Sequence, residues 1–339
     1  MEVGDVKRGV NHDKTVVNID SSGISTPPHS GEGCGDTQIR LDFHQNMFEL
    51  CPTSTTIFRS CEESPSGAFE SLTDDVMFER KTKRRDRLRA QPFPAPWRAI
   101  LQQNVSYYQR LTASEREELQ GDIQVFIAEK NFEGCSGLEI NDEIKVTIAA
   151  YACILLLNRR HDFYPRLQSI LVYPDVYPVP VVRLVPGNIA VAGHEMRAGE
   201  SWRTGAVVLS WNHVLRRPSA VPEGRNVALH EFAHQIDQEN GFVDGAPDLS
   251  TSSQYAAWAR VLGSEFATLS QQTVADQPTL IDKYGATEPA EFFAVVTEYF
   301  FEKSLELQQR HPELYEELRR FYRQDPASTD VVESPSGHA

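Results

Sequence analysis

The chain has no paired-cysteine motif. Its five cysteines, Cys34, Cys51, Cys61, Cys135 and Cys153, are scattered, odd in number and never spaced as Cys-x-x-Cys. That pattern argues against a disulfide framework and against a cysteine-ligated zinc site, and a reducing, cytoplasmic setting fits it best. Long apolar runs are also missing. The longest lies around Ile148 to Leu157, far short of the ~20 residues a membrane-spanning helix needs. The first residues, Met1-Glu2-Val3-Gly4-Asp5, lack the basic start and apolar stretch of a signal peptide. Basic charge is in deficit, with a formal net charge of −15, which argues against a general nucleic-acid binder and for solubility. What is present is a sizeable apolar fraction, 40% over 339 residues, enough for one large or two ordinary domains.

Composition divides the chain. Residues 1–78 are rich in Ser, Thr, Gly, Asp and Glu without sustained periodicity, so they read as a disordered acidic and polar arm. Within it, Phe43 to Leu50 reads as part of the unstructured arm, with a transient helix or a docking segment as the alternative. The run Arg80 to Arg89 is strongly basic and reads as a linker over 79–90, a solvated hinge or helix face, with a nucleic-acid or lipid contact as the weaker alternative. The folded domain is expected over 91–326, starting at Gln91-Pro92-Phe93-Pro94, and 327–339 as a disordered tail.

Inside the domain, Thr112 or Ser114 can cap a helix running to about Lys130, and 143–157 form a second, largely apolar helix. Residues 169–173, 181–185 and 206–211 have the β-branched, apolar character of strands. The glycine-rich stretch Gly193 to Gly205 suits turns, and His194-Glu195-Met196-Arg197 reads as a loop. From Asn226 onward the pattern is helical. Helices flanking a small sheet give an α+β class.

The informative segment is Leu229-His230-Glu231-Phe232-Ala233-His234-Gln235-Ile236-Asp237. It contains His-Glu-x-x-His. On a helix, positions i and i+4 lie about 40° apart on one face, so His230 and His234 can reach one metal ion with Glu231 beside its water. The segment has its own helix signals. Asn226 can cap, Leu229, Phe232, Ala233 and Ile236 form an apolar stripe, and Asn240-Gly241 is a stop. A third protein ligand is required, leaving one position open. Asp237 and Asn240 stand where the H-E-x-x-H-x-x-G-x-x-H pattern needs Gly and His, so that pattern fails. A carboxylate on the helix after Thr287-Glu288-Pro289 is the better source. Glu291 is the candidate ligand and Glu298, seven residues on, a candidate to orient a histidine ring. Asp282 is a rival ligand from the preceding loop. Tyr284 is placed to donate to an oxyanion, the alternative being a packed loop tyrosine. Asp237 either supports a ligand or simply closes the helix.

Several segments in order resemble one family. Asn226 through Asp237, Glu288-Pro289-Ala290-Glu291-Phe292-Phe293-Ala294-Val295, Phe132-Glu133-Gly134-Cys135, Ile144 through Ala150, Ser169 through Pro174, Val207 through Trp211 and Phe321 through Pro326 are similar to the Mlc titration factor A (MtfA) family of zinc peptidases. The resemblance covers about residues 83–326. It implies a zincin-type, mostly helical domain with a gluzincin site like that of the anthrax lethal factor catalytic domain. It implies zinc (Zn2+) on His230, His234 and Glu291, with Glu231 as base and Tyr284 at the family's tyrosine position. It also implies aminopeptidase-type hydrolysis of small peptide substrates. Enterobacterial members bind the glucose repressor Mlc and so affect sugar uptake, so the resemblance also implies a transcription regulator as a partner, with a non-catalytic sequestering protein as the alternative function. No direct nucleic-acid or membrane partner is expected.

Overall fold

The structure is a computed structural model, and it describes residues 16–17, 70–185, 189–215 and 224–330. Apart from Val16–Val17 and the stretch from residue 70, the expected arm lies outside the described residues. The Phe43 to Leu50 segment and the tail beyond residue 330 lie outside them too.

The elements run in this order. The strand β1 (Val16–Val17) comes first, then helices α1 (Glu70–Arg89), α2 (Ala95–Asn104), α3 (Ser106–Arg110) and α4 (Ala113–Glu129). Strand β2 (Asn131–Gly134) and helix α5 (Asp142–Ile154) follow, then β3 (Ser169–Tyr173), β4 (Tyr177–Val185), β5 (Ile189–Arg197), β6 (Gly199–Trp202) and β7 (Ala206–Ser210). The remainder is helical: α6 (Trp211–Val214), α7 (Val227–Asp237), α8 (Ser252–Val274), α9 (Pro289–Glu302), α10 (Ser304–Arg310), α11 (Pro312–Tyr322) and α12 (Pro326–Asp330). This is the expected α+β architecture, mostly helical with small sheets. None of the described helices is long and apolar enough to cross a membrane.

One sheet has the order β2-β3-β7-β6, parallel except for the antiparallel edge strand β6. The other is the β4–β5 hairpin, with β1 added antiparallel to β5. The dipeptide Val16–Val17 is thus a strand, although the arm around it reads as polar. The stretch expected to turn, Gly193 to Gly205, is mostly strand. His194 to Arg197 belong to β5 and Gly199 to Trp202 form β6. Cross-strand pairing overrides the weak propensity of these residues.

Local chemistry sets the helix ends. Thr112, not Ser114, caps α4 in a full capping box with Glu115. Asn141 caps α5, whose residues from Val146 to Ile154 are all buried. The core joins these helices to α7 through an aromatic cluster. Phe232 packs against Phe126 and Tyr164 at 5.8 and 5.3 Å between ring centroids. Burying one such ring contributes on the order of 2–3 kcal/mol. Helix α9 is buried along nearly its whole length, which explains its apolar sequence on all sides.

The basic run is not a linker. Residues 80–89 continue α1, which docks on the domain through specific pairs. Arg85, 9% exposed, forks onto Glu129 at 2.8 and 2.7 Å, also pairs with Asp162, and lies 4.6 Å above the Phe163 ring. Arg89 donates to the buried Asp122 at 2.9 Å. A planar guanidinium suits such two-pronged pairing. At the other end, Ala327 is buried and α12 extends to Asp330, so the ordered chain continues past the expected boundary at 326.

Candidate metal centre

Helix α7 carries the His-Glu-x-x-His segment in a fixed setting. The Asn226 side chain accepts from the Leu229 amide at 3.2 Å, capping the helix, and Leu229, Phe232, Ala233 and Ile236 are buried as the stripe predicts. Gly241, at φ 95°, ends the turn that follows, as the Asn-Gly stop predicts. Helix α9 lies against α7 and begins with Pro289 in its first turn, bringing Glu291 onto the face opposite the histidines.

The three candidate ligand atoms form a small triangle. His230 Nε2 lies 3.0 Å from Glu291 Oε2 and 3.2 Å from His234 Nε2, and His234 Nε2 lies 3.4 Å from the same Glu291 oxygen. Donors at about 2.0–2.1 Å from a tetrahedral ion sit about 3.3 Å apart, so the triangle has the dimensions of one tetrahedral face. Two imidazole Nε2 atoms this close conflict if both are donors or both acceptors, and a cation accepting both lone pairs removes the conflict. These residues therefore fit a metal ion.

Other groups hold the triangle in place. Glu298, 5% exposed, accepts His230 Nδ1 at 2.8 Å with one oxygen and the Asn226 amide with the other. This fixes the ring so that Nε2 faces Glu291. Asp237 is fully buried and accepts from the Gly245 amide at 3.0 Å. Gly245, at φ 75°, leaves no room for a side chain, since a Cβ there would come 2.3 Å from the Pro289 carbonyl. Asp237 thus secures the loop against the start of α9 and supports the helix bearing Glu291. Asp282 is not among the converging atoms. It pairs with Arg225 and caps its own turn by accepting from the Tyr284 amide at 2.9 Å.

Electrostatics follow from burial. Burial would push the His230 imidazole down, but hydrogen bonds to Glu291 and Glu298 hold it well above its ordinary range. Burial likewise opposes the Glu291 shift, and the two imidazoles still hold its carboxyl far below the usual range. Glu231, 5% exposed, is pushed up to about 8 by burial, opposed by His230 and reinforced by Glu291 and Glu200. That value lies near the range a general base works in. Tyr284 is half exposed, with its ring centroid 6.0 Å from that of His230. Burial of its hydroxyl end and the Glu291 charge raise its pKa.

The triangle opens into a cleft of about 1030 Å³. Sequence reasoning missed one wall of it, built from β5, β6 and their neighbours. Gly199 lies directly over Glu231: a Cβ there would sit 2.4 Å from Glu231 Oε1 and 2.6 Å from Val227 Cγ2. Ser201 on the same strand accepts from Gln235 and Gln238 of the α7 region at 2.7 and 3.1 Å. A four-residue strand of Gly, Glu, Ser and Trp has too little apolar alternation to be seen in sequence.

Comparison with known proteins agrees with this geometry. Residues 79–323 match the family model described as glucose-regulated metallo-peptidase M90. An uncharacterized protein of Synechocystis sp. is 41% identical over 244 residues, 72% of this chain and 89% of that protein. Mlc titration factor A of Salmonella agona is 28% identical over 229 residues, 67% of this chain and 86% of the relative. The same-named protein of Salmonella schwarzengrund is 27% identical over 244 residues, 71% of this chain and 91% of the relative. A metallopeptidase family implies a metal ion, and a His, His, Glu trio able to hold one is present. The chain belongs to the M90 family of glucose-regulated metallopeptidases, the family of Mlc titration factor A.

Proposed function

We propose that this metallopeptidase is a zinc-dependent, aminopeptidase-like enzyme of gluzincin type, with His230, His234 and Glu291 as its zinc ligands. The observation that carries this reading is the triangle of ligand atoms at 3.0–3.4 Å with the Glu231 carboxylate beside it. Two nitrogens and one carboxylate oxygen are the donor set of a catalytic zinc with an open fourth position. When bound, zinc supplies Lewis-acid polarisation of the scissile carbonyl and lowers the pKa of water toward ~7. Glu231 takes the proton of the attacking water and passes it to the leaving amine. The Tyr284 hydroxyl, at the rim of the cleft, donates to the developing oxyanion. Glu298 keeps the His230 ring in register throughout. A reducing, cytoplasmic setting accords with Cys135 and Cys153, which are buried and joined in no disulfide among the described residues.

The test is metal content and turnover measured together. Wild-type protein should hold about one zinc per chain and Glu291→Ala far less, while Glu231→Gln should keep zinc and lose hydrolysis of a peptide substrate. A fully active Glu231→Gln variant would sink the scheme. A second reading comes from the name of the Salmonella relatives. On it, the chain sequesters an Mlc-like transcription regulator, with consequences for sugar uptake, and hydrolysis is incidental. It requires that Glu231→Gln still capture the regulator and still change its regulon, and loss of both effects would exclude it.

A further inference from the structure

Glu200 in the wall of the cleft, and Tyr177 packed behind it, each hold a buried polar atom that no hydrogen bond uses among the described residues. Glu200 on β6 gives one oxygen to Arg197 Nη1 at 2.6 Å. Its other oxygen, Oε2, is enclosed and has no hydrogen-bond partner among the described residues. The Tyr177 hydroxyl, on a residue 3% exposed, is likewise enclosed and unpartnered. The two groups are neighbours by construction. Tyr177 is the cross-strand partner of Arg197 in the β4–β5 hairpin, and Arg197 holds Glu200. The charges of Glu200 and Glu231 both act on the Tyr177 hydroxyl, after burial itself. The ring of Tyr177 is fixed by stacking on Tyr173 at 4.6 Å between centroids. A buried carboxylate oxygen and a buried phenol left without partners cost free energy unless a ligand uses them.

The charge of the cleft indicates which ligand. Its lining bears seven carboxylates and three guanidinium groups. It therefore stays formally negative even after a divalent cation is added. Arg197 is shared between Glu195 and Glu200, and it occupies only one of the two Glu200 oxygens. An unpartnered carboxylate oxygen with a phenol hydroxyl near enough to feel its charge can accept from a group with several N–H donors, which describes a primary ammonium. Glu200 directly follows Gly199, which lies over the Glu231 carboxylate. A substrate attacked at a carbonyl beside Glu231 would carry the ammonium of the same residue's α-carbon toward this corner.

We propose that Glu200 and Tyr177 form the receptor for the free α-amino group of the peptide substrate, and so make the enzyme act at N-termini. The assignment rests on the peptidase reading for its orientation but not for its binding chemistry. The chemically equivalent source, a lysine side chain of the substrate, is distinguished by the test.

The test is a titration with the full-length, zinc-loaded protein carrying Glu231→Gln, so that binding is read without turnover. Three probes are compared: tetra-alanine amide with a free N-terminus, the same peptide acetylated, and an acetylated peptide with one lysine. The free peptide should bind on the order of tenfold or more tightly than the acetylated one, the size of a charge-assisted hydrogen bond. Adding Glu200→Gln should abolish that preference at unchanged zinc content, and Tyr177→Phe should reduce it. The Tyr177 variant keeps the test decisive if the Glu200 variant does not fold. Equal binding of the free and acetylated peptides, or a preference indifferent to both substitutions, overturns the proposal. Preference for the lysine peptide overturns the α-amine assignment. An intact free-amine preference in a protein whose wild type hydrolyses no peptide would overturn the peptidase reading instead.

Discussion

Replacing Gly199 with alanine tests whether the edge strand β6 sets the position of Glu231. The backbone at Gly199 lies outside the left-handed region, so alanine is conformationally allowed and its effect must come from contact. The new methyl would start 2.4 Å from Glu231 Oε1 and 2.8 Å from Glu231 Cγ, against an ordinary contact of 3.4 Å or more. Strand β6 cannot simply retreat, because Ser201 ties it to Gln235 and Gln238 and its other edge is paired to β7. The carboxylate is the softer partner, and it moves by about 1 Å. A displacement of that size in a reacting group costs on the order of 10²-fold in rate, or about 2.7 kcal/mol in the barrier. The assay is kcat/KM on a peptide substrate, alongside zinc content and the thermal midpoint. The loss should appear in kcat with metal content unchanged, since the methyl meets none of the three candidate ligands among its nearest atoms. Activity within twofold of wild type would refute the reasoning, and a parallel loss of zinc would move the cause from the base to the metal.

Other residues give independent tests. Glu298→Ala removes the acceptor that orients His230 and should weaken zinc affinity by roughly 10–100-fold, read by competition with a chromogenic chelator; unchanged affinity would make Glu298 a bystander. Tyr284→Phe should lower kcat by on the order of 10²-fold with little change in KM, and a pure KM effect in steady-state kinetics would reassign it to ground-state binding. Asp237 is pushed up to about 6, chiefly by burial. Between about pH 4 and 6 the folded state therefore holds the extra proton, and stability falls as pH rises through that window, by at most about 3 kcal/mol. Urea midpoints of Asp237→Asn should lack that slope, and identical pH profiles for variant and wild type would contradict it. Arg85→Ala leaves Glu129 without its buried partner and should cost about 3 kcal/mol, seen as a fall in thermal midpoint; no change would return the basic run to the status of a solvated face.

What could be read in the sequence was local. The capping of α4 by Thr112 and of α7 by Asn226, the apolar stripe around the histidines, and the start of α9 at Pro289 all depend on residues within a few positions of each other. The separation of four between His230 and His234 is itself a statement about helix geometry. In sequence, Glu291 and Asp282 compete as ligand, because both precede or enter the same helix. Asp282 is drawn instead to Arg225, which lies far away in sequence. The docking of α1 was hidden for the same reason. A run of arginines reads as solvated until its partners are known, and Glu129 and Asp162 lie 44 and 77 residues from Arg85. Strands β5 and β6 carry no strong β pattern, so their pairing, and with it the Gly199 and Glu200 wall, becomes visible only in three dimensions.

The position of that wall bears on how one buried carboxylate can serve as a base. Burial, with the neighbouring carboxylates outweighing His230, holds Glu231 at about 8, so in a cation-free cleft it is mostly protonated at neutral pH and cannot take up a further proton. Glu291 and Glu200 push in the same direction and only His230 opposes them. A divalent cation held by the triangle reverses the local sign of the field and brings the carboxyl down toward ionisation. The substrate's ammonium at Glu200 and Tyr177 would act in the same sense from the opposite side. Metal and substrate amine would then each lower the pKa of the one group that must take a proton, and Glu231 would become a competent base only when both are in place. The pH dependence of kcat on free-amine peptides, which reports the enzyme–substrate complex, should accordingly show an acidic limb lying below the Glu231 value of the metal-free protein. An acidic limb at or above about 8 would break the link between the ligand triangle, the amine corner and the base.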